Sequence, residues 1–319
     1  MYDIINVILN SNSILLMTHN SPDGDGIGCL IALENILKQL NKEIFVVIQN
    51  KISKNYINII GKERVNKIFL PNKKYDLIII LDCSDINRIY EKALYLAEKS
   101  IVIDHHIDSN NNTFNYIYKE IVCSTGIIIY KLIKELETKI NKRLFTSFIA
   151  TCLFLTIRSD TSNFQNNNTD ALTFEISGDL LKLGANIELV NKIFENRNFS
   201  LLKLMSNCFH RICIDYNYKL LYLIVKREDI IKSNSSYEEA SSLINYIKNI
   251  NEIDTYILFI EDNDNIKVRA RSNTINVSNI LNKFNGGGHK YAAGALIYGD
   301  NIYNISNKVI NEIKNYKEI

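Results

Sequence analysis

The chain has 319 residues, of which 46% are hydrophobic and 23% charged, and its formal net charge is +2. That length suits two domains, each large enough to bury its own core. The small charge argues against a grip on long duplex nucleic acid, which needs many phosphate contacts and a basic face, and apolar runs such as Leu77 to Leu81 are too short to span a membrane.

In chain order, the opening Met1-Tyr2-Asp3-Ile4 lacks the basic segment and apolar core of a secretion signal, so a cytoplasmic protein is expected. Short apolar runs predict strands at Ser13 to Thr18, Ile44 to Ile48, Tyr75 to Asp82 and Ser100 to Asp104. Amphipathic spacing predicts helices over 26–40, 87–99, 124–140 and 144–158, with another from Thr169 to Gly184. Alternating strands and helices imply an α/β fold with a largely parallel sheet, whose functional residues belong at the carboxyl ends of strands. This first domain is assigned to 1–190, followed by a linker over 191–205. A second, smaller α/β domain over 206–319 then reads as a hairpin over 211–225, a helix over 237–250, strands over 255–260 and 266–271, and a helix over 277–284. Asn110 to Asn112 and Asn166 to Asn168 read as loops. The six cysteines (Cys29, Cys83, Cys123, Cys152, Cys208, Cys213) form no CxxC pair and read as reduced, buried small hydrophobes.

Four of the five histidines and seven of the twelve glycines fall in three short segments. The first, His19-Asn-Ser-Pro-Asp23-Gly-Asp25-Gly-Ile-Gly28, follows the first strand; carboxylates on either side of one glycine point differently and suit two neighbouring cations. Asp82, in Leu81-Asp82-Cys83-Ser84-Asp85, and Asp104-His105-His106 each end a later strand, and Asp160 follows the apolar helix ending at Arg158. Imidazole with several carboxylates, and no thiolate pair, suits manganese, with magnesium, iron or cobalt as alternatives. Two such ions about 3.5–4 Å apart stabilise attacking and leaving oxygens in phosphate-ester hydrolysis.

These segments resemble the four ordered motifs of the DHH phosphoesterases. Arg271-Ser272 followed by Gly286-Gly287-Gly288-His289 and Ala292-Ala293-Gly294-Ala295 resembles the substrate-binding signature of the DHHA1 domain, so the likeness runs from residue 14 to about 297. The resemblance implies a DHH domain and a DHHA1 domain across a cleft. It implies one divalent ion held by His19, Asp23 and Asp82 and a second by Asp25, Asp82, His105 and Asp160, with His106 facing the scissile phosphate. Asp104 is expected to orient its neighbours, since ligating imidazoles need a partner on their other nitrogen. Arg271, Ser272, Gly286, Gly287, Gly288 and His289 are the implied substrate residues, joined by Arg88, and Arg269 stands where a small residue is usual. Thr156 and Ser162 replace usual glycines, and Ser109 replaces a common asparagine. The implied substrates are short RNA and pAp, with cyclic or linear dinucleotides as the alternative; an inactive nucleotide-binding protein is disfavoured because every implied ligand is present. The oligomeric state is open, a homodimer included.

Overall fold

Near-continuous apolar runs demand burial on both faces, and the first half of the chain meets that demand with a five-stranded parallel sheet in the order β2-β1-β3-β4-β5. In the computed structural model, all residues are described except 51, 65–66, 107–112, 196–197, 264 and 319. The reading of Ser109 and of the Asn110 to Asn112 loop lies outside the described residues. The chain divides into two units, Met1–Asn196 and Arg197–Ile319.

The first unit runs α1 (Tyr2–Asn10), β1 (Ser13–Met17), α2 (Gly24–Gln39), β2 (Glu43–Val46), α3 (Ile57–Ile60), β3 (Tyr75–Leu81), β4 (Ala97–Asp104), β5 (Tyr116–Lys119), α4 (Thr125–Ile140), α5 (Ser147–Asp160), α6 (Ala171–Lys182) and α7 (Ile187–Glu195). Residues 77–81 of β3 are fully buried, each side chain contributing about 1.5–3 kcal/mol. Leu77, Ile79 and Leu81 pack toward α2, α4 and α5, while Ile78 and Ile80 join Ile89 and Ala93 on the other face. The direction of strand addition reverses between β1 and β3, the place where ligand sites of such sheets form.

Two departures from expectation have physical causes. The helix expected over 87–99 is two 3-10 segments, Ile86–Arg88 and Glu91–Leu96, because residues from Ala97 onward are drawn into β4 by pairing with β3, starting at Tyr75↔Ala97. The stretch read as a linker contains parts of α7 and of α8 (Phe199–Cys208).

Helices α2 and α5 touch closely at Gly28, where a Cβ would lie 2.5 Å from the Cys152 carbonyl oxygen and 2.5 Å from Thr156 Cγ2. A backbone oxygen cannot step aside. Gly28→Ala is therefore expected to lower unfolding free energy by about 1–3 kcal/mol in urea titrations. Thr156 itself is fully buried and bonds the Leu153 carbonyl at 2.7 Å. Gly126, whose Cβ would fall 1.7 Å from Thr156 Oγ1, makes the room. Ser162, Asn163 and Phe164 all take left-handed φ, 48°, 62° and 64°. Ser162 is exposed, so Ser162→Gly should stabilise by about 0.5–1 kcal/mol, the relief of left-handed strain less the added unfolded-state entropy; an unchanged melting midpoint would contradict this.

The second unit continues from α8 with β6 (Cys213–Asp215), β7 (Leu220–Val225), α9 (Arg227–Ser233), α10 (Tyr237–Ser242), α11 (Ile244–Ile247), β8 (Thr255–Asp262), β9 (Asn265–Ser272), α12 (Val277–Asn282), β10 (Gly287–His289), β11 (Ala292–Tyr298) and α13 (Ile302–Glu318). Its mixed sheet has the order β10-β11-β9-β8-β7-β6, only β7 and β8 being parallel. The single helix expected over 237–250 is broken into α10 and α11. Ile257, Phe259, Val268 and Ala270 pack with α12 and α13, and Tyr256, Leu258 and Ile260 with α8 to α11. All six cysteines are free, but Cys213 is exposed rather than buried. Among the described residues no helix is long and apolar enough to cross a membrane.

Candidate metal centre

The carboxyl ends of β1, β3 and β4 deliver three sets of side chains to one place. Asp23 caps α2, accepting the Asp25 amide at 3.0 Å and the Gly26 amide at 3.4 Å; this is ordinary N-cap chemistry and leaves Asp23 exposed while Asp25 is fully buried. Asp25 Oδ2 accepts the Thr125 amide at 2.7 Å and Oδ1 the Gly126 amide at 3.2 Å. The amino end of α4 thus holds this carboxylate. Asp82 leaves β3 with φ of 58°, a conformation that costs a non-glycine residue energy and turns the carboxylate out of the strand line.

Around Asp82 the groups converge. Its Oδ2 is 3.6 Å from His19 Nε2, and its Oδ1 is 3.5 Å from His105 Nε2 and 3.7 Å from His106 Nδ1. His105 Nε2 also lies 3.2 Å from Asp160 Oδ2 and 3.8 Å from Asp25 Oδ2. Among the described residues three sets of donor atoms, each within 4.8 Å of one another, can hold a metal ion: His19, Asp23, Asp82; Asp25, His105, Asp160; and Asp82, His105, His106.

Electrostatics give the same picture. Burial, then the charges of Asp82 and Asp160, push the Asp25 carboxyl well above its ordinary range. Burial and the Asp82 and Asp23 carboxylates likewise raise Asp160, although the His105 imidazole beside it opposes them. Burial depresses the His105 imidazole, but Asp160 and Asp82 together outweigh it and raise its pKa to about 9. Crowded buried carboxylates of this kind need a compensating cation.

The donor set fits one. His105 Nδ1 lies 3.1 Å from the Val122 carbonyl, which can only accept, so the neutral ring carries its proton on Nδ1 and presents the Nε2 lone pair to the carboxylates. Nε2 is buried and, among the described residues, has no hydrogen-bond partner. Imidazole and carboxylate donors without thiolate suit manganese, magnesium or cobalt.

Asp104 stands one step back. Fully buried, it accepts from Ser84 Oγ at 2.6 Å, the His106 amide at 3.1 Å and His106 Nδ1 at 2.8 Å. Burial would raise its pKa, but these bonds outweigh it and hold the pKa at about 2. The His106 pKa rises in turn, chiefly through that hydrogen bond.

Sequence reading missed Thr125. Its amide serves Asp25 and its hydroxyl donates to Asp82 Oδ1 at 3.1 Å; the signal available was Ser124-Thr125-Gly126 opening a predicted helix. Arg88 has an exposed side chain, and its carbonyl accepts the Asn20 amide at 2.7 Å, tying the first motif loop to the second.

The second unit holds the other candidates. Arg271 lies on β9 opposite Ala292, which in turn faces His289 across β11 and β10, so the three share one face of the sheet. Ser272 points to the opposite face, buried, its hydroxyl donating to the Asp254 carbonyl at 3.0 Å and accepting from the Thr274 and Ile275 amides. Gly286 and Gly288 are packing positions, where a Cβ would meet the carbonyl oxygens of Gly294 and Ala292 at 2.5 Å each; Gly287 is open.

A parallel sheet carrying imidazoles and carboxylates at its carboxyl end makes this an α/β protein with a side-chain set that can bind metal. The model of the DHH family, N-terminal domain, matches residues 13–157 and that of the DHHA1 domain matches residues 217–315. The chain belongs to the DHH/DHHA1 family. It is 29% identical to the bifunctional oligoribonuclease and PAP phosphatase NrnA of Mycoplasma genitalium, over 92% of each chain, and 27% identical to the NrnA of Bacillus subtilis, over 93% of each. The crystal structure of an exopolyphosphatase-related protein from Bacteroides fragilis, 22% identical, superposes with a TM-score of 0.86 over 99% of this chain and 96% of that one, which establishes the fold.

Proposed function

We propose that this chain is a metal-dependent phosphoesterase that hydrolyses short oligoribonucleotides to mononucleotides and pAp to AMP. The observation that carries the reading is the placement of Asp82, whose two oxygens lie 3.6 Å and 3.5 Å from the Nε2 atoms of His19 and His105 respectively. One carboxylate thereby serves two separate donor sets. In this reading His19, Asp23 and Asp82 hold one divalent ion, and Asp25, Asp82, His105 and Asp160 the other, manganese being favoured over magnesium and cobalt. Two ions held there supply Lewis acidity to the phosphoryl group and lower the pKa of an attacking water.

The chain's own residues supply the rest. Asp104 holds Nδ1 of His106, which leaves Nε2 of that half-exposed ring to face the scissile phosphate and give a proton to the leaving oxygen. Thr125 steadies Asp82 through its hydroxyl and Asp25 through its amide. Arg271, His289 and Gly287 share one sheet face of the second unit, and a guanidinium beside bare backbone suits phosphate. The small net charge favours substrates with few phosphates, and the kinship with NrnA proteins supports the same class. The reading sets the enzyme in the cytoplasm, and a solution mass measurement separates monomer from homodimer.

The test is a turnover assay with manganese on a labelled RNA dinucleotide, a five-nucleotide RNA, pAp and cyclic di-AMP. Mononucleotide release from the short RNAs is the expected outcome. Preference for cyclic di-AMP would move the protein to cyclic-dinucleotide turnover, and inactivity on all four would sink the reading.

A further inference from the structure

The sheet of the second unit is unevenly covered. Helices α8 to α11 lie over Tyr256, Leu258 and Ile260 of β8. The register places Arg271 beside Tyr256 and Arg269 beside Leu258, so both arginines lie on the same face, at the margin of that cover. Beyond them, the next positions outward are Gly294 and then Gly287 opposite Arg269, and Ala292 and then His289 opposite Arg271. The two arginines are therefore next neighbours on one face of β9, their Cα atoms about 7 Å apart along the strand, at the edge of a floor made of glycine and alanine.

Among the described residues no carboxylate neutralises either arginine. Burial, and for Arg271 also the charge of Arg269, disfavours their charged forms. Arg269 donates to the Ser241 carbonyl at 3.1 Å and Arg271 to the Ala270 carbonyl at 2.9 Å. These bonds aim the groups and leave further donors in each fork. Half-buried like charges on one face are costly to hold together unless an anion completes them.

The charge of that anion can be argued. A phosphate diester carries one negative charge, which a single guanidinium matches. A terminal phosphate monoester carries about −1.5 to −2 at pH 7 and has three acceptor oxygens. We propose that Arg269 and Arg271 together form a receptor for a terminal phosphate monoester, and that Arg269 makes the chain prefer short oligonucleotides bearing one. This rests on the reading of the chain as a short-oligonucleotide phosphoesterase and adds a specificity determinant to it.

The experiment compares a 5′-phosphorylated RNA dinucleotide with the same dinucleotide bearing a 5′-hydroxyl, using the full chain at pH 7.5 with manganese. The parent should favour the phosphorylated form in kcat/KM by about tenfold or more, the scale of one charge-assisted contact. Arg269→Gln should collapse that ratio to near one, mainly through KM, and Arg269→Lys should restore part of it because the charge returns without the fork. A ratio unchanged by Arg269→Gln, or absent from the parent, would overturn the proposal. Binding of the same two dinucleotides, measured by calorimetry in EDTA, reads the receptor without turnover. If the parent cleaves neither dinucleotide but binds the phosphorylated one more tightly through Arg269, the receptor stands and the phosphoesterase reading falls. If it cleaves both without an Arg269-dependent preference, the reverse holds. Should Arg269→Gln unfold, since it also loses the bond to Ser241, the Arg269→Lys ratio decides: a value equal to the parent's counts against the fork.

Discussion

Asp82→Asn should lower turnover by about 10^4-fold, the several kcal/mol of charge stabilisation that a shared carboxylate makes possible, while making the metal-free protein more stable than the parent. Both effects come from the same crowding. The Asp82 charge contributes to raising Asp25, which is fully buried, and Asp160, which is partly buried; among the described residues the ring of His105 is the cation that acts on Asp160. Removing one negative charge relieves that repulsion by about 1–2 kcal/mol, the worth of roughly one pKa unit. Asparagine also tolerates the left-handed φ of 58° at this position and keeps an oxygen for the Thr125 hydroxyl. Thermal melts in EDTA check the stability half, and melts with manganese should reverse the order because the variant loses a shared ligand. An active Asp82→Asn enzyme, or one less stable than the parent in EDTA, would contradict this account.

The same crowding sets a pH dependence whose sign can be worked out. His105 has a folded pKa raised from 6.5 to about 9, so its contribution to stability is complete below pH 6.5 and is lost as pH rises through about 9. Asp25 and Asp160 are raised as well, and their contributions also fade with rising pH, starting above the ordinary value of 3.8. Asp104, held at about 2, works the opposite way: its contribution is present above 3.8 and is lost only as pH falls toward 2. Between pH 6 and 9 the metal-free protein should therefore melt at progressively lower temperature, and manganese should flatten the slope. A flat profile in EDTA would show that these groups are not coupled as the geometry requires.

Much of the site was legible because its residue types are rare in this chain and its strands are simple. An uninterrupted run such as Leu77 to Leu81 has few options besides a central strand, and Asp82, the residue directly after it, is thereby placed at the sheet's end. The partners of Asp25 were harder to read, since the amides of Thr125 and Gly126 are a hundred residues away and carry no side-chain signature. The helix expected over 87–99 failed because the Ala97 to Lys99 stretch has ordinary helix formers that pair with β3 instead. In the second unit β10 and the start of β11 were missed because Gly287-Gly288-His289 and Ala292-Ala293-Gly294 lack β-branched residues, so pairing rather than local preference makes these segments strands. Register also separates Arg271 from Ser272. Adjacent residues of one motif point to opposite faces, and only the first is on the face that holds His289.

Asp104→Asn is the sharpest test of how His106 is held. The carboxylate is fully buried and spends its oxygens on Ser84, the His106 amide and His106 Nδ1, so the substitution changes one contact that matters, the charge-assisted bond at 2.8 Å to the ring. Asparagine can offer its oxygen to only some of these donors, and its NH2 group opposes a ring nitrogen that carries a proton. The ring should then turn or change tautomer, and kcat should fall by about 10–100-fold, the usual cost of losing a partner that orients a site imidazole. KM should change little, because no substrate group is expected to touch Asp104. The alkaline limb of the kcat profile should also move to lower pH, since the bond to Asp104 is the chief influence raising the His106 pKa. Manganese affinity supplies an independent readout: a ring-orienting role leaves it nearly intact, whereas collapse of the whole site would lower it in step with kcat. Loss of metal binding in Asp104→Asn would assign the residue to the metal site itself, and unchanged kcat would remove His106 from the reaction.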